Sequence, residues 1–329
     1  MKPNQVAEIL KVCIINGWNV LLKGSPGTAK TSIIEQVTKE LGYDIVTEVS
    51  SLSMPVDYKG LPGIVNGEAQ FLPYGFQKKL LTADKPLVCF FDDIGWATPS
   101  VINSLASLIL NREINGQKIS PHVRFVAATN EKKDNSNVNS LSLAFLSRFH
   151  TSIRMEVCAD SWINWAIEND LETTLISYIK AKPSMLSTFI GQKDETFACP
   201  RTIKFLSDMI KAGIINHEAW SGTVGEAFSV EFMAYYKICK SIATLPAEIV
   251  KNPATAEIPS KPDVLYFVLA ALPNRTKTEE VFCSALEYFA RLPKEYEAFA
   301  VKLIATKNPK MKETSCFINW HVKNQDVVV

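Results

Sequence analysis

The sequence predicts an α/β fold: a parallel sheet with helices on both faces over residues 1–157, then an all-helical region over 158–250 and a helical C-terminal extension over 251–329. Three observations carry this. Apolar runs of strand length alternate with helix-period segments as far as residue 150. A Gly/Pro-rich loop joins the first such strand to the first such helix. Beyond about residue 158 the spacing turns helical. A chain of 329 residues suits about two domains and a core that needs no disulfide or metal staple.

Asn19–Lys23 is a short strand ending at Gly24. Thr31–Leu41 is helical, with Ile33, Ile34, Val37 and Leu41 on one face and Gly42 placed to cap it. Asp44–Val49 is a second strand. Pro86–Phe91 is a continuous apolar run, as expected of a strand buried on both faces. Pro99–Asn111 is helical, and Val123–Ala128 is another buried strand. Between residues 51 and 75 glycine and proline crowd the chain, and Asn66-Gly67 signals a hairpin turn. That insert reads either as a projecting hairpin or as a static surface loop. Further on, Asp160–Ile179, Arg201–Ala212 and Val224–Ile242 carry helix-period apolar residues. Pro253, Pro259 and Pro262 mark a linker, and Val264–Ala271, Glu279–Leu292 and Tyr296–Ile304 read as shorter helices.

Composition excludes several classes. Thirty-five Lys and Arg against 34 Asp and Glu give a formal charge of +1, which is neither a basic nucleic-acid footprint nor an acidic tail. At 47% hydrophobic residues, wholesale disorder is excluded. The seven cysteines (13, 89, 158, 199, 239, 283 and 316) are scattered with no Cys-x-x-Cys, so reduced thiols are expected and no zinc pattern is evident. The N-terminus lacks the apolar stretch of a signal peptide, and no apolar run nears the roughly 20 residues that span a bilayer. A cytoplasmic protein without membrane partners is expected.

The sharpest segment is Gly24-Ser25-Pro26-Gly27-Thr28-Ala29-Lys30-Thr31, followed by Ser32. It fits the phosphate-loop frame Gly-x4-Gly-Lys-[Ser/Thr], with Ala29 in place of the second glycine. A tight turn from a buried strand into a helix aims successive N–H groups into one concavity, and the helix N-terminus adds partial positive charge. Lys30 can reach the β- and γ-phosphates of ATP, and the Thr31 hydroxyl can bind Mg²⁺. Such a site needs an acid at the end of a neighbouring strand. Leu87–Asp93 supplies Asp92 for the Mg²⁺ shell and Asp93 where a base can orient water. The bland reading is a strand ending in two solvated acids. The next strand ends at Asn130, whose amide can hold an attacking water. Arg148, in Leu146-Ser147-Arg148-Phe149, can reach a neighbouring subunit's nucleotide. Cys199-Pro200-Arg201-Thr202 opens a helix, and Arg201 is either functional or a solvated first-turn arginine.

This order of motifs resembles the AAA+ ATPases, and more narrowly the MoxR group, whose phosphate loops often read Gly-x-Pro-Gly-x-Ala-Lys-[Ser/Thr]. A MoxR subgroup looks closer still. It carries a Pro-x-Asp-x-(Arg/Lys)-Gly-(Leu/Ile)-Pro stretch, matched by Pro55–Pro62; an Asp-Asp-(Leu/Ile)-Gly, matched by Asp92–Gly95; and a Gly-Thr-Val-Gly-Glu, matched by Gly222–Glu226. The matches cover about residues 15–235. The resemblance implies a Walker A motif at Gly24–Thr31, a Walker B motif at Leu87–Asp93, sensor 1 at Asn130, an arginine finger at Arg148 and sensor 2 at Arg201. It further implies an ATP- and Mg²⁺-dependent homo-oligomeric ring, usually hexameric, with a chaperone-like remodelling role and a von Willebrand factor A domain protein as partner. One departure is that most AAA+ proteins have Glu where this chain has Asp93, a carboxylate one methylene shorter, so slow hydrolysis is expected.

The lead expectation is therefore an ATP-hydrolysing ring motor. One alternative is an ATP-gated scaffold that recruits its partner while turnover is incidental. Another is a DNA-acting motor, for which Lys132 and Lys133 are the only local basic pair and against which the near-neutral charge stands.

Overall fold

The computed structural model describes residues 1–131, 141–189 and 196–324. Lys132 and Lys133 lie outside the described residues, as do the last five positions of the C-terminal extension. The chain divides into two compact units, one of Met1–Cys158 and one of Ala159–Phe189 with residues from 196 onward.

The first unit runs α1 (Pro3–Asn16), β1 (Val20–Lys23), α2 (Lys30–Glu40), β2 (Asp44–Val49), α3 (Pro55–Lys59), β3 (Leu61–Val65), β4 (Glu68–Leu72), α4 (Gly75–Thr82) and β5 (Leu87–Asp92). It continues with α5 (Pro99–Asn111), β6 (Glu113–Ile114), β7 (Gln117–Lys118), β8 (Val123–Thr129), α6 (Leu143–Leu146) and β9 (Thr151–Arg154). Five strands form one parallel sheet in the order β2-β5-β8-β1-β9. After β1 the chain crosses β8 and β5 to reach β2, while after β8 it crosses β1 to reach β9. The strand order thus reverses between β1 and β8, and the carboxyl ends of those strands are where such sheets bind ligands.

The apolar runs are continuous because both sheet faces are covered. Along β5, Leu87, Cys89 and Phe91 enter one core with α5 residues Val101, Leu105 and Ile109. Val88 and Phe90 enter the other, with Val6, Leu10 and Ile14 of α1 and Ile33, Ile34 and Val37 of α2. Leu21 of β1 and Phe125 of β8 likewise face the first core, and their neighbours Leu22 and Val126 the second. Helix α1 lies outside the strand–helix alternation read from the sequence. It buries one stripe and ends at Gly17, whose φ of 73° lets its N–H bond back to the helix.

In the insert, β3 and β4 pair as a separate antiparallel hairpin through Asn66 (φ 52°) and Gly67 (φ 84°), the two positive-φ positions that a type I′ turn demands. All five residues of β4 are exposed. Short α3, at the hairpin's foot, ends at Gly60 (φ 93°), where an added Cβ would sit 2.7 Å from the Leu72 carbonyl oxygen. Only glycine fits that approach.

The second unit comprises α7 (Ala159–Glu168), α8 (Thr173–Ala181), α9 (Pro200–Lys211), α10 (His217–Val224), α11 (Glu226–Ser241), α12 (Leu245–Lys251), α13 (Pro262–Ala271), α14 (Glu279–Phe289), α15 (Lys294–Lys307) and α16 (Ser315–Lys323). Three sequence expectations need correction. The single helix expected over Asp160–Ile179 is broken at Asp170 (φ 52°), and the Leu171 N–H caps α7 through the Ala166 carbonyl. The helix expected from Val224 starts at Glu226, because Gly225 (φ 86°) forms an elbow. A Cβ there would lie 2.9 Å from the Thr196 carbonyl oxygen, so the glycine of the Gly222–Glu226 motif is sterically required. A third correction concerns the thiols. Cys283 and Cys316 are joined in a disulfide, with Cα atoms 5.6 Å apart. Packing of α14 beside α16 brings together two cysteines whose 33-residue separation gives no hint of pairing. No helix among the described residues is long and apolar enough to cross a membrane.

Candidate nucleotide site

Gly24–Ala29 link β1 to α2. The Gly24 N–H donates to the Thr129 carbonyl at 3.3 Å, extending the β1–β8 ladder into the loop. A Cβ at Gly24 would lie 2.9 Å from the Met155 carbonyl oxygen and 3.1 Å from Thr28 Oγ1, so the loop leaves the sheet through a gap that only glycine fits. The Thr28 hydroxyl donates to the Ser25 carbonyl at 2.9 Å, closing the turn around Pro26. Gly27 (φ 73°) and Ala29 (φ 68°) both hold left-handed backbone. That explains the glycine usual at the Ala29 position, since an L residue there is strained by roughly 1–2 kcal/mol. The first α2 hydrogen bond runs from the Ile33 N–H to the Ala29 carbonyl. Thr31 and Ser32 belong to the opening turn of α2, and the amides of such a turn point out of the helix end, where they suit an anion.

Residues from four segments meet at this loop. Lys30, largely buried, donates through Nζ to the Gly24 carbonyl at 2.8 Å, the Ser25 carbonyl at 3.1 Å and Asn130 Oδ1 at 2.8 Å. Thr31 Oγ1 donates to Asp92 Oδ2 at 2.9 Å. The Asp93 N–H donates to Asp92 Oδ1 at 2.9 Å, so both oxygens of Asp92 are engaged and its carboxylate is fixed. Asp93 itself takes a φ of 51° where β5 turns abruptly into a 3-10 turn over Ile94–Trp96. Asp tolerates that conformation better than most residues. Thr31 and Asp92 together offer hard oxygen donors side by side, a set that fits Mg²⁺ rather than a softer metal.

Two predicted residues stand outside this bonded group. Half-buried Arg148 donates from Nε to the Ala106 carbonyl at 3.1 Å and from Nη1 to the Ala144 carbonyl. Its guanidinium is therefore held on α5 and α6. Exposed Arg201 belongs to the second unit, in the first turn of α9 after Pro200. There the Cys199 N–H bonds Thr202 Oγ1 at 2.9 Å.

Sequence reasoning missed two supporting sets. Glu131, directly after Asn130 and mostly buried, pairs with Arg154 of β9 at 2.6 Å. Since Lys23 is in register with both Thr129 and Arg154, this ion pair crosses the end of β1 where the loop departs. At the foot of the insert, fully buried Gln77 donates to the Val56 and Asp57 carbonyls at 3.1 and 2.5 Å. Tyr74 Oη donates to Asp57 Oδ1, a hydrogen bond that pushes the phenol up to about 12. Neither an ion pair between distant strand ends nor a buried glutamine some twenty residues from its acceptors is marked in a sequence.

Residues 19–149 match the family model described as "AAA domain (dynein-related subfamily)". Among solved structures, the Thermotoga maritima RuvB Holliday junction branch migration motor aligns with a TM-score of 0.44 and 16% identity, over 88% of this chain and 86% of that one. A mutant of the same motor gives 0.45 and 18% over 80% and 86%. NtrX from Brucella abortus in complex with ADP gives 0.43 and 11% over 99% and 68%. No curated protein matches the chain.

Proposed function

We propose, from an AAA domain of the dynein-related subfamily over residues 19–149, that the chain is an ATPase of MoxR type that works as a homo-oligomeric ring and remodels a protein partner. The observation that carries this reading is the pair of hydrogen bonds that ties Lys30 to Asn130 and Thr31 to Asp92 around one phosphate loop. ATP would bind with its phosphates against the loop and the first turn of α2, and Lys30 would exchange its carbonyl and amide acceptors for phosphate oxygens. Mg²⁺ held by Thr31 and the Asp92 shell would neutralise charge developing on the phosphates. Asp93 and Asn130 would orient the attacking water. Arg148 of the next subunit would stabilise transition-state charge, an effect worth roughly 10³–10⁵ in rate. Arg201 would add a positive charge from the helical unit. The Pro55–Pro62, Asp92–Gly95 and Gly222–Glu226 matches favour a von Willebrand factor A domain protein as the partner.

Phosphate release and nucleotide binding test this. Wild type should hydrolyse ATP in a Mg²⁺-dependent way, and saturating MgATP should raise thermal stability by about 2.7 kcal/mol at 100 times Kd. Lys30→Ala should lose both effects, and Asp93→Asn should keep binding while losing turnover. A Lys30→Ala variant that hydrolyses ATP at the wild-type rate overturns the reading. The scaffold alternative rests on Asp93, the short carboxylate at a turn. It holds instead if ATP drives assembly while wild type and Asp93→Asn turn over equally slowly.

A further inference from the structure

Among the described residues outside the phosphate loop, one cluster of side chains has the chemistry of a ligand set. Glu279 and Cys283 stand one turn apart on α14, and Cys316 lies in the first turn of α16. Their ligating atoms, one carboxylate oxygen and two sulfurs, all lie within 4.8 Å of one another. The cluster is at the surface, with Glu279 exposed and both cysteines half-buried. We propose that, when its disulfide is reduced, this cluster is a zinc-class metal site with two thiolate ligands and one carboxylate ligand.

Three features support it. Cys316 is the second residue of α16, after the Thr314 cap, and this position sets its sulfur beside that of Cys283 on α14. The carboxylate is also held in place. The Ser315 N–H and hydroxyl donate to Glu279 Oε1 at 3.3 and 3.2 Å, drawing the side chain from α14 across to α16. A carboxylate accepts about four such contacts, so those two leave capacity for a metal, and outer bonds of this kind orient ligands in metal sites. Finally, the spacing suits either state. Tetrahedral Zn–S bonds of about 2.3 Å place two sulfurs about 3.8 Å apart. Cysteines whose Cα atoms are 5.6 Å apart reach that by side-chain rotation. Two thiolates select a soft or borderline cation over Mg²⁺ or Ca²⁺, and a three-residue set leaves a fourth position for water.

Disulfide and metal exclude each other. A small thiol such as glutathione attacks one sulfur, and a second thiol resolves the mixed disulfide. The products are two protein thiols and one external disulfide. Metal binding then releases the two thiol protons to solvent. The reverse sequence, with a disulfide as oxidant, expels the metal and restores the Cys283–Cys316 bond.

Cobalt(II) tests this on the full chain, since thiolate ligation gives it a charge-transfer absorption. Reduced wild type should bind one Co²⁺ per chain with that band and release it to one equivalent of Zn²⁺. The same protein oxidised with excess glutathione disulfide should show no band, a comparison that needs no variant. Cys283→Ser and Cys316→Ser should each abolish it, and Glu279→Gln should weaken Zn²⁺ binding at least about 10-fold. The proposal is overturned if reduced wild type shows no band. It is equally overturned if the Cys283→Ser/Cys316→Ser double variant keeps the spectrum, which would assign the metal to the other five cysteines.

Discussion

Ala29 caps α2 in left-handed backbone that glycine would adopt without strain. Replacing Ala29 by Gly removes roughly 1–2 kcal/mol of strain and costs about 0.5–1 kcal/mol in unfolded-chain entropy. The variant should therefore be more stable by up to about 1.5 kcal/mol, with ATP binding retained, as read by urea denaturation. Arg148 gives the second prediction at this scale. If it serves the neighbouring subunit, Arg148→Ala and Asp93→Asn should each be inactive alone. Mixed one to one, they should recover about a quarter of wild-type turnover, because a quarter of the head-to-tail interfaces pair an intact Asp93 with an intact Arg148. No recovery on mixing would place the arginine's action within its own chain or outside catalysis. The identities of Lys30, Thr31, Asp92 and Asn130 were legible from sequence because each sits at a strand end or helix start beside a recognisable loop. Their mutual bonds were not, since one of them joins residues a hundred positions apart.

Among elements, the insert hangs on its foot rather than on its own strands. With β4 wholly exposed, the hairpin is a two-stranded ribbon without a buried face, and such ribbons are marginal in water. Gln77 supplies what the strands lack by satisfying two carbonyls of α3. Gln77→Ala should cost about 2 kcal/mol, the summed net worth of two part-buried hydrogen bonds. Hydrogen exchange should quicken in residues 55–72 first, with β5 and β8 unchanged. Even exchange across the unit would show that Gln77 supports the core instead. The Asn66-Gly67 signal revealed the hairpin because its geometry is local. The break at Asp170 stayed hidden because helix periodicity on either side of it runs on without a glycine or proline to mark the turn.

At the scale of the whole molecule, four of the five sheet strands were readable, β9 was not, and neither was the strand order. Runs such as Leu87–Phe91 read as strands covered on both faces, and successive residues do enter opposite cores. Nothing in those runs says that β1 lies between β8 and β9. The order follows from right-handed crossovers and from which helices fill which face. The disulfide was likewise unreadable, being a product of helix packing in the second unit. The same strand order bears on the exposed turn at Asn66-Gly67, a site open to a protease. A cut there leaves β1 and β2 in one piece and β5, β8 and β9 in the other, interleaved in a single sheet. Three pairings of that sheet, and the β3–β4 pairing of the hairpin, then cross between the pieces. The nicked protein should run as two bands in denaturing gels yet elute as one species from a sizing column, a split protein that complements itself.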